Sequence, residues 1–170
     1  MILILIISFI YLLFLMWLIS GFNKLNSSTL DSEVNEFVSI VIAVKNESQN
    51  IDKLLNALSN QSYPQNKYEI IFSNDKSTDD TLEIINSYKE RIENLKVISI
   101  NKTPSDWASK KWALNMAINE SNGKIILQTD GDCIPGKKWI EQMIYAFSDI
   151  ENGFVMGYTP IIIEKNNMIN

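Results

Sequence analysis

From Phe37 onward, short β-branched apolar runs alternate with segments of helical periodicity, and this alternation restricts the fold more than any other feature of the chain. Phe37 to Val44 (FVSIVIAV) is almost unbroken in apolar residues, the pattern of a strand covered on both faces. Ile51, Leu54, Leu55 and Leu58 follow at helical spacing, Gln61-Ser62-Tyr63-Pro64 ends that helix, and Tyr68 to Ser73 (YEIIFS) is a second strand. Ser77-Thr78-Asp79-Asp80 has the form of a capping box, a Ser N-cap with an acid three residues on. The helix it opens directs Leu82, Ile85, Tyr88 and Ile92 inward. Leu95 to Ile100 is a third strand, Lys110 to Asn122 a third helix closed by Gly123, and Lys124 to Thr129 (KIILQT) a fourth strand. Ile140, Met143, Ile144 and Phe147 mark a fourth helix, and Gly153 to Ile163 a fifth strand. Such a sequence predicts an α/β fold, a mostly parallel sheet with right-handed crossovers and helices on both faces.

The segment ahead of this alternation differs in kind. No charged side chain occurs from Met1 to Asn23, and Ile2 to Ile19 is apolar throughout except for Ser8. About eighteen residues rise about 27 Å as a helix, close to the roughly 30 Å hydrocarbon thickness of a bilayer. Two readings fit: an uncleaved transmembrane anchor, with Trp17 and Lys24 near one interface, and a signal peptide cut near Ser20-Gly21. The length of the run and the lack of a basic residue before it favour the anchor. The chain then divides into an anchor (1–20), a polar linker (21–36) and one domain (37–170).

Charge and cysteine content exclude several classes. In 170 residues there are 15 basic and 20 acidic side chains, net charge -5, and the single arginine is Arg91, so no basic stripe suits nucleic acid. One cysteine, Cys133, rules out an internal disulfide, and with no histidine a Cys/His zinc site cannot be built. A metal would have to be held by oxygen.

In open α/β sheets ligands bind outside the carboxyl ends of the strands. There the sequence places Lys45 to Glu47, Asn74 to Thr78, Asn101 to Lys111 and Asp130 to Cys133. Asp130 and Asp132, two apart at the end of an apolar strand, can meet one hard cation such as Mg²⁺ or Mn²⁺. Asp-Gly is also an ordinary turn dipeptide. Asp75 can accept from a uracil imide or from ribose hydroxyls, or serve as a turn acid; Asp79 and Asp80 fit capping better. Lys110 and Lys111 can reach a diphosphate at a helix start, or form a solvated surface pair. Neither Gly-x-Gly-x-x-Gly nor a P-loop occurs, which removes two common explanations of a phosphate site.

The segments VSIVIAVKNES, QSYP, YEIIFSNDKSTDDT, SKKWALNMAI and GKIILQTDGDCIP, in this order, resemble the successive blocks of family 2 glycosyltransferases with the Rossmann-like GT-A fold, especially membrane-anchored bacterial members. The resemblance covers roughly Val38 to Trp139. It implies that Glu47 and Asp75 contact the nucleotide, Lys110 the diphosphate, Asp130 the ribose or metal and Asp132 the metal, with Ala43 and Lys45 in the same nucleotide-sugar set. It also implies a divalent cation, Mg²⁺ or Mn²⁺, and a nucleotide sugar, UDP-linked by expectation, whose sugar passes with inversion to a hydroxyl acceptor in lipid-linked or cell-envelope glycan synthesis. This chain departs from the family pattern at Ala43 (usually Pro), Asn74 (usually an acid), Lys76 (usually Gly) and Ser109 (usually Gly). Lys76 places a positive charge beside the pocket assigned to the base.

Inversion requires a general base, which family members carry as an Asp or Glu in a later segment. After Glu151 the only acid here is Glu164, and no catalytic base is assigned. The chain is accordingly expected to be a donor-binding portion whose acceptor half is missing, or a non-catalytic module that needs a partner chain. A nucleotidyltransferase would carry a Gly-rich loop after the first strand, where Lys45-Asn46-Glu47-Ser48 has no glycine. Because nucleotide sugars are made in the cytosol, the domain is expected on the cytosolic side of the cell membrane.

Overall fold

The computed structural model describes residues 2–25, 35–147 and 153–157. The chain separates into two units, Met1–Ser32 and Glu33–Asn170. In the first, helix α1 (Ile2–Leu25) contains a stretch, Ile2–Gly21, of 20 residues and mean hydropathy 3.0, long and apolar enough to cross a membrane. Helix α1 takes in residues 21–25 of the expected linker, and 26–34 lie outside the described residues.

The second unit is built on strands β1 (Val38–Val44), β2 (Tyr68–Asn74), β3 (Leu95–Ser99) and β4 (Ile125–Gln128). They form one parallel sheet in the order β3-β2-β1-β4, with Val38 level with Tyr68 and Ile125, and Ile70 level with Leu95. The β-branched run of β1 is central because both its faces are covered. Val38, Ile40, Ile42 and Val44 pack into a large core with Ile51, Leu54, Leu55 and Leu58 of α2 (Ile51–Ser59), Ile85 of α3 (Thr81–Ser87) and Ile140 and Ile144 of α5 (Trp139–Tyr145). Val41 and Ile71 point to the other face and meet Leu114 and Ala117 of α4 (Ser109–Asn119). Fully burying a side chain of this size contributes about 1.5–3 kcal/mol, so these two clusters dominate the stability of the sheet.

The amino end of the sheet holds a buried acid. Glu69 accepts from Ser39 Oγ (2.6 Å), from the Asn122 backbone N–H (2.6 Å) and from Lys96 Nζ (2.7 Å). Beside it Gly123 donates to Ser39 Oγ, and a Cβ at Gly123 would lie 2.3 Å from the Ser39 nitrogen, so glycine permits the turn from α4 into β4. The Gln61-Ser62 pair has a comparable role elsewhere. Gln61 donates to the Gly136 carbonyl (2.9 Å) and accepts from the Ile140 N–H (3.2 Å), and the Ser62 N–H donates to the Lys137 carbonyl (2.8 Å). These bonds tie the end of α2 to the loop entering α5.

Three expectations change. Helix α3 starts at Thr81, not at Ser77, because the Ser77, Asp79 and Thr81 side chains bond to the loop after β1. Leu82 is half-buried and outside the core, which Ile84 joins instead. Residues 153–157 of the expected fifth strand are irregular, and the rest of that segment lies outside the described residues.

Candidate nucleotide-sugar site

Strands β2 and β3 lie to one side of β1 and β4 to the other, so the direction of winding reverses between β1 and β4. Loops diverge at such a switch point and leave a crevice at the carboxyl ends. A cleft of about 310 Å³ opens there, lined by Ala43, Val44, Lys45 and Glu47 after β1, Asp75 after β2, Ser109, Lys110 and Ala113 of α4, and Asp130, Gly131 and Asp132 after β4. Ala43, Lys45, Glu47, Asp75, Lys110, Asp130 and Asp132, far apart in sequence, all line this cleft.

Their geometry pairs acids with lysines. Lys110 Nζ lies 2.8 Å from Asp130 Oδ1. That hydrogen bond raises the Lys110 pKa; partial burial opposes the shift, and the fields of Asp130, Asp132 and Cys133 add to it. Asp75 is the buried member: its side chain is 6% exposed, Oδ2 lies 3.6 Å from Lys45 Nζ, and Oδ1 lies 4.0 Å from Lys76 Nζ with no hydrogen bond. A buried carboxylate oxygen without a donor is costly, and a ligand N–H or O–H in the cleft would satisfy it. Glu47 accepts from Asn50 Nδ2 (3.1 Å to Oε2), and Gly131 leaves it room, since a Cβ there would meet Glu47 Cγ at 3.0 Å.

Asp130 and Asp132 lie on the turn that leaves β4, closed by a Cys133 N–H to Asp130 carbonyl bond of 3.2 Å. Among the described residues no cluster of three or more Asp, Glu, Cys or His side chains could hold a metal alone. The pair does fit a hard cation that keeps waters and phosphate oxygens as its other ligands, the usual condition of Mg²⁺ beside a nucleotide. The lining lysines and the backbone donors at the start of α4 suit an anionic group.

Sequence patterns did not reveal two backbone features of this end of the sheet. Asn46 and Lys76, at equivalent corners after β1 and β2, have φ of 55° and 57°. Lys76 thus occupies a left-handed position where glycine is the easy residue, which accounts for the glycine of the family pattern there.

The family model of glycosyl transferase family 2 matches residues 39–169. The chain belongs to glycosyltransferase family 2. It is 36% identical over 112 residues to the glycosyltransferase AglE of Haloferax volcanii, covering 66% of this chain and 36% of that protein. It is 35% identical over 126 residues to the probable glycosyltransferase YdaM of Bacillus subtilis, covering 74% and 30%. Among solved structures, Staphylococcus aureus TarS 1-349 in complex with UDP superposes with a TM-score of 0.57 at 28% identity, covering 67% of this chain and 32% of that one. The mannosyltransferase PcManGT of Pyrobaculum calidifontis, in complex with GDP-Man and Mn²⁺, shares the fold with a TM-score of 0.60 at 22% identity, covering 75% and 38%. The parallel sheet with flanking helices is therefore the Rossmann-like GT-A fold. The family 2 chain spans about one third of the length of these relatives.

Proposed function

We propose that this family 2 chain binds a nucleoside-diphosphate sugar, by preference a UDP-sugar, together with a divalent cation, as the donor-binding part of an inverting transferase. The observation that carries the reading is the convergence of Asp75, Lys110, Asp130 and Asp132 on one cleft at the β1/β4 switch point. The relatives named above support it, since one was solved with UDP and another with GDP-Man and Mn²⁺.

In this reading the free oxygen of Asp75 accepts from the base or ribose, while its other oxygen stays paired with Lys45. Glu47, bonded to Asn50, lines the same cleft. Lys110 exchanges its contact with Asp130 for the diphosphate, where its charge offsets the negative charge that develops as the sugar departs. Asp132, with Asp130, would hold Mg²⁺ or Mn²⁺, which supplies Lewis-acid stabilisation of the leaving diphosphate. The acceptor hydroxyl attacks the anomeric carbon from the face opposite the diphosphate and gives its proton to a base. We assign that base to polypeptide beyond the cleft described, in a longer protein or in a partner chain. Helix α1 anchors the protein in the cell membrane with the domain on the cytosolic side, where nucleotide sugars are made. That placement suits a lipid-linked or cell-envelope acceptor.

Calorimetric titration of the full chain with UDP, with and without Mn²⁺, tests the reading. Saturable binding that needs Mn²⁺ and disappears in Asp132→Ala is expected; metal-independent binding, or none, contradicts it.

A further inference from the structure

Three consecutive backbone amides follow β1, and each donates to a different side chain of the segment that runs from the loop after β2 into the first residue of α3. The Asn46 N–H donates to Ser77 Oγ (3.0 Å), the Glu47 N–H to Thr81 Oγ1 (2.8 Å) and the Ser48 N–H to Asp79 Oδ2 (3.1 Å). The acceptors alternate in sequence as Ser77-x-Asp79-x-Thr81. A return bond runs from the Thr78 N–H to Asn46 Oδ1 (2.8 Å). Thr81 uses its single hydroxyl proton toward Asp79 Oδ1 (2.5 Å), which turns its lone pairs toward the Glu47 N–H. Asp79 Oδ1 also accepts from the Thr81 N–H (3.2 Å).

Water could satisfy loop amides like these, but water leaves their direction free. Directed side-chain acceptors do not, and Asn46, a residue type that can enter the left-handed region, is held there with its own side chain bonded to the Thr78 N–H. Lys45 and Glu47, on either side of this corner, line the cleft, whereas Ser77, Asp79 and Thr81 do not. We propose that Ser77, Asp79 and Thr81 form a clasp of positioning residues that fixes where Lys45 and Glu47 stand in the donor site. The proposal rests on the nucleotide-sugar reading above. It explains why Ser77 turns to the loop after β1 instead of capping a helix, which begins only at Thr81.

The test compares the full chain with Thr81→Val, Thr81→Ser and Ser77→Ala by amide hydrogen exchange at 46–48, UDP affinity in Mn²⁺, and thermal unfolding midpoint. Protection of all three amides is expected in the unmodified protein. Thr81→Val should speed exchange at Glu47 and weaken UDP binding about tenfold or more, since small misplacements of binding groups are expensive. Thr81→Ser should restore both, and Ser77→Ala should act on the Asn46 amide with a smaller loss of affinity. Unprotected amides in the unmodified protein overturn the clasp, and so does unchanged affinity in Thr81→Val once its Glu47 amide is released. Loss of protection throughout β1 and β2 in both Thr81→Val and Ser77→Ala assigns the affinity change to unfolding and likewise overturns positioning. Absence of UDP binding before any substitution is a separate result: it overturns the nucleotide reading and the positioning role built on it, while the exchange pattern still reports whether the clasp exists.

Discussion

Replacing Glu69 by Gln should destabilise the domain through one buried acid whose donors are all identified. Glu69 is 3% exposed and accepts at 2.6–2.7 Å from Ser39, the Asn122 backbone and Lys96, and more loosely from Asn122 Nδ2 (3.2 Å to Oε2). Glutamine keeps the shape but has one acceptor oxygen, so its amide N–H₂ faces a donor and at least one charge-assisted bond is lost. Such bonds contribute about 1.5–3 kcal/mol each, and breaking a buried pair costs about 3–5 kcal/mol. Lys96 can swing into water, because its side chain is 46% exposed, which puts the cost near the lower figure, about 3 kcal/mol. With a urea m-value of about 1–3 kcal/mol/M, the midpoint of unfolding should fall by roughly 1–3 M at neutral pH. The pH dependence adds a sign. Burial acts to raise the Glu69 pKa, but hydrogen bonds from Lys96, Ser39 and Asn122 outweigh it, and the folded value lies below the ordinary 4.5. A carboxylate depressed on folding stabilises above its unfolded pKa and loses that contribution as pH falls through the folded pKa. The gap between the two proteins, read by tryptophan emission in urea, should therefore be full at pH 7 and shrink in the acid range below 4.5. A gap under about 0.5 kcal/mol, or one constant with pH, would refute the reasoning.

Lys76→Gly should raise the thermal midpoint: leaving the left-handed region relieves about 1–2 kcal/mol, of which the freer unfolded chain returns about 0.4–1 kcal/mol. A fall in the midpoint on scanning calorimetry would contradict the assignment of strain to that corner. Gly131→Ala should weaken UDP binding more than stability, because the new Cβ falls 3.0 Å from Glu47 Cγ and 3.2 Å from Val44 Cγ1, and the flexible glutamate gives way; titration beside a melting curve separates the two. Gln61→Ala should cost about 1–3 kcal/mol in urea unfolding, since the Gly136 carbonyl and Ile140 N–H lose their partner together.

The sequence resolved those features that depend on local pattern. Apolar runs broken only by Ser39 in β1 and by Glu69 and Ser73 in β2 made both strands legible to within a residue or so at each end, and Asp130-Gly131-Asp132 stood out by following an apolar strand. With the resemblance, each assigned site residue fell at a strand or helix end, where the switch point gathers them. The start of α3 was not legible, because Ser77, Asp79 and Thr81 bond to amides some thirty residues earlier. Residues 79–81 pass through a bend and a turn into the helix, so neither strand nor helix periodicity marks these contacts. Nor did sequence pattern give the left-handed turn at Lys76, where a lysine stands in place of the family's glycine. Strand alternation gave the parallel arrangement, whereas placing β4 beside β1 required the tertiary packing itself.

The central claim, that the paired carboxylates after β4 and the cleft beside them hold the metal and diphosphate of a nucleotide sugar, is met most directly by diffraction from crystals of the full chain grown with UDP and Mn²⁺. Anomalous scattering should place manganese in coordination contact with Asp132 and a phosphate oxygen, with Lys110 turned from Asp130 toward the diphosphate. Manganese away from Asp132, or UDP bound outside the cleft, would contradict the claim.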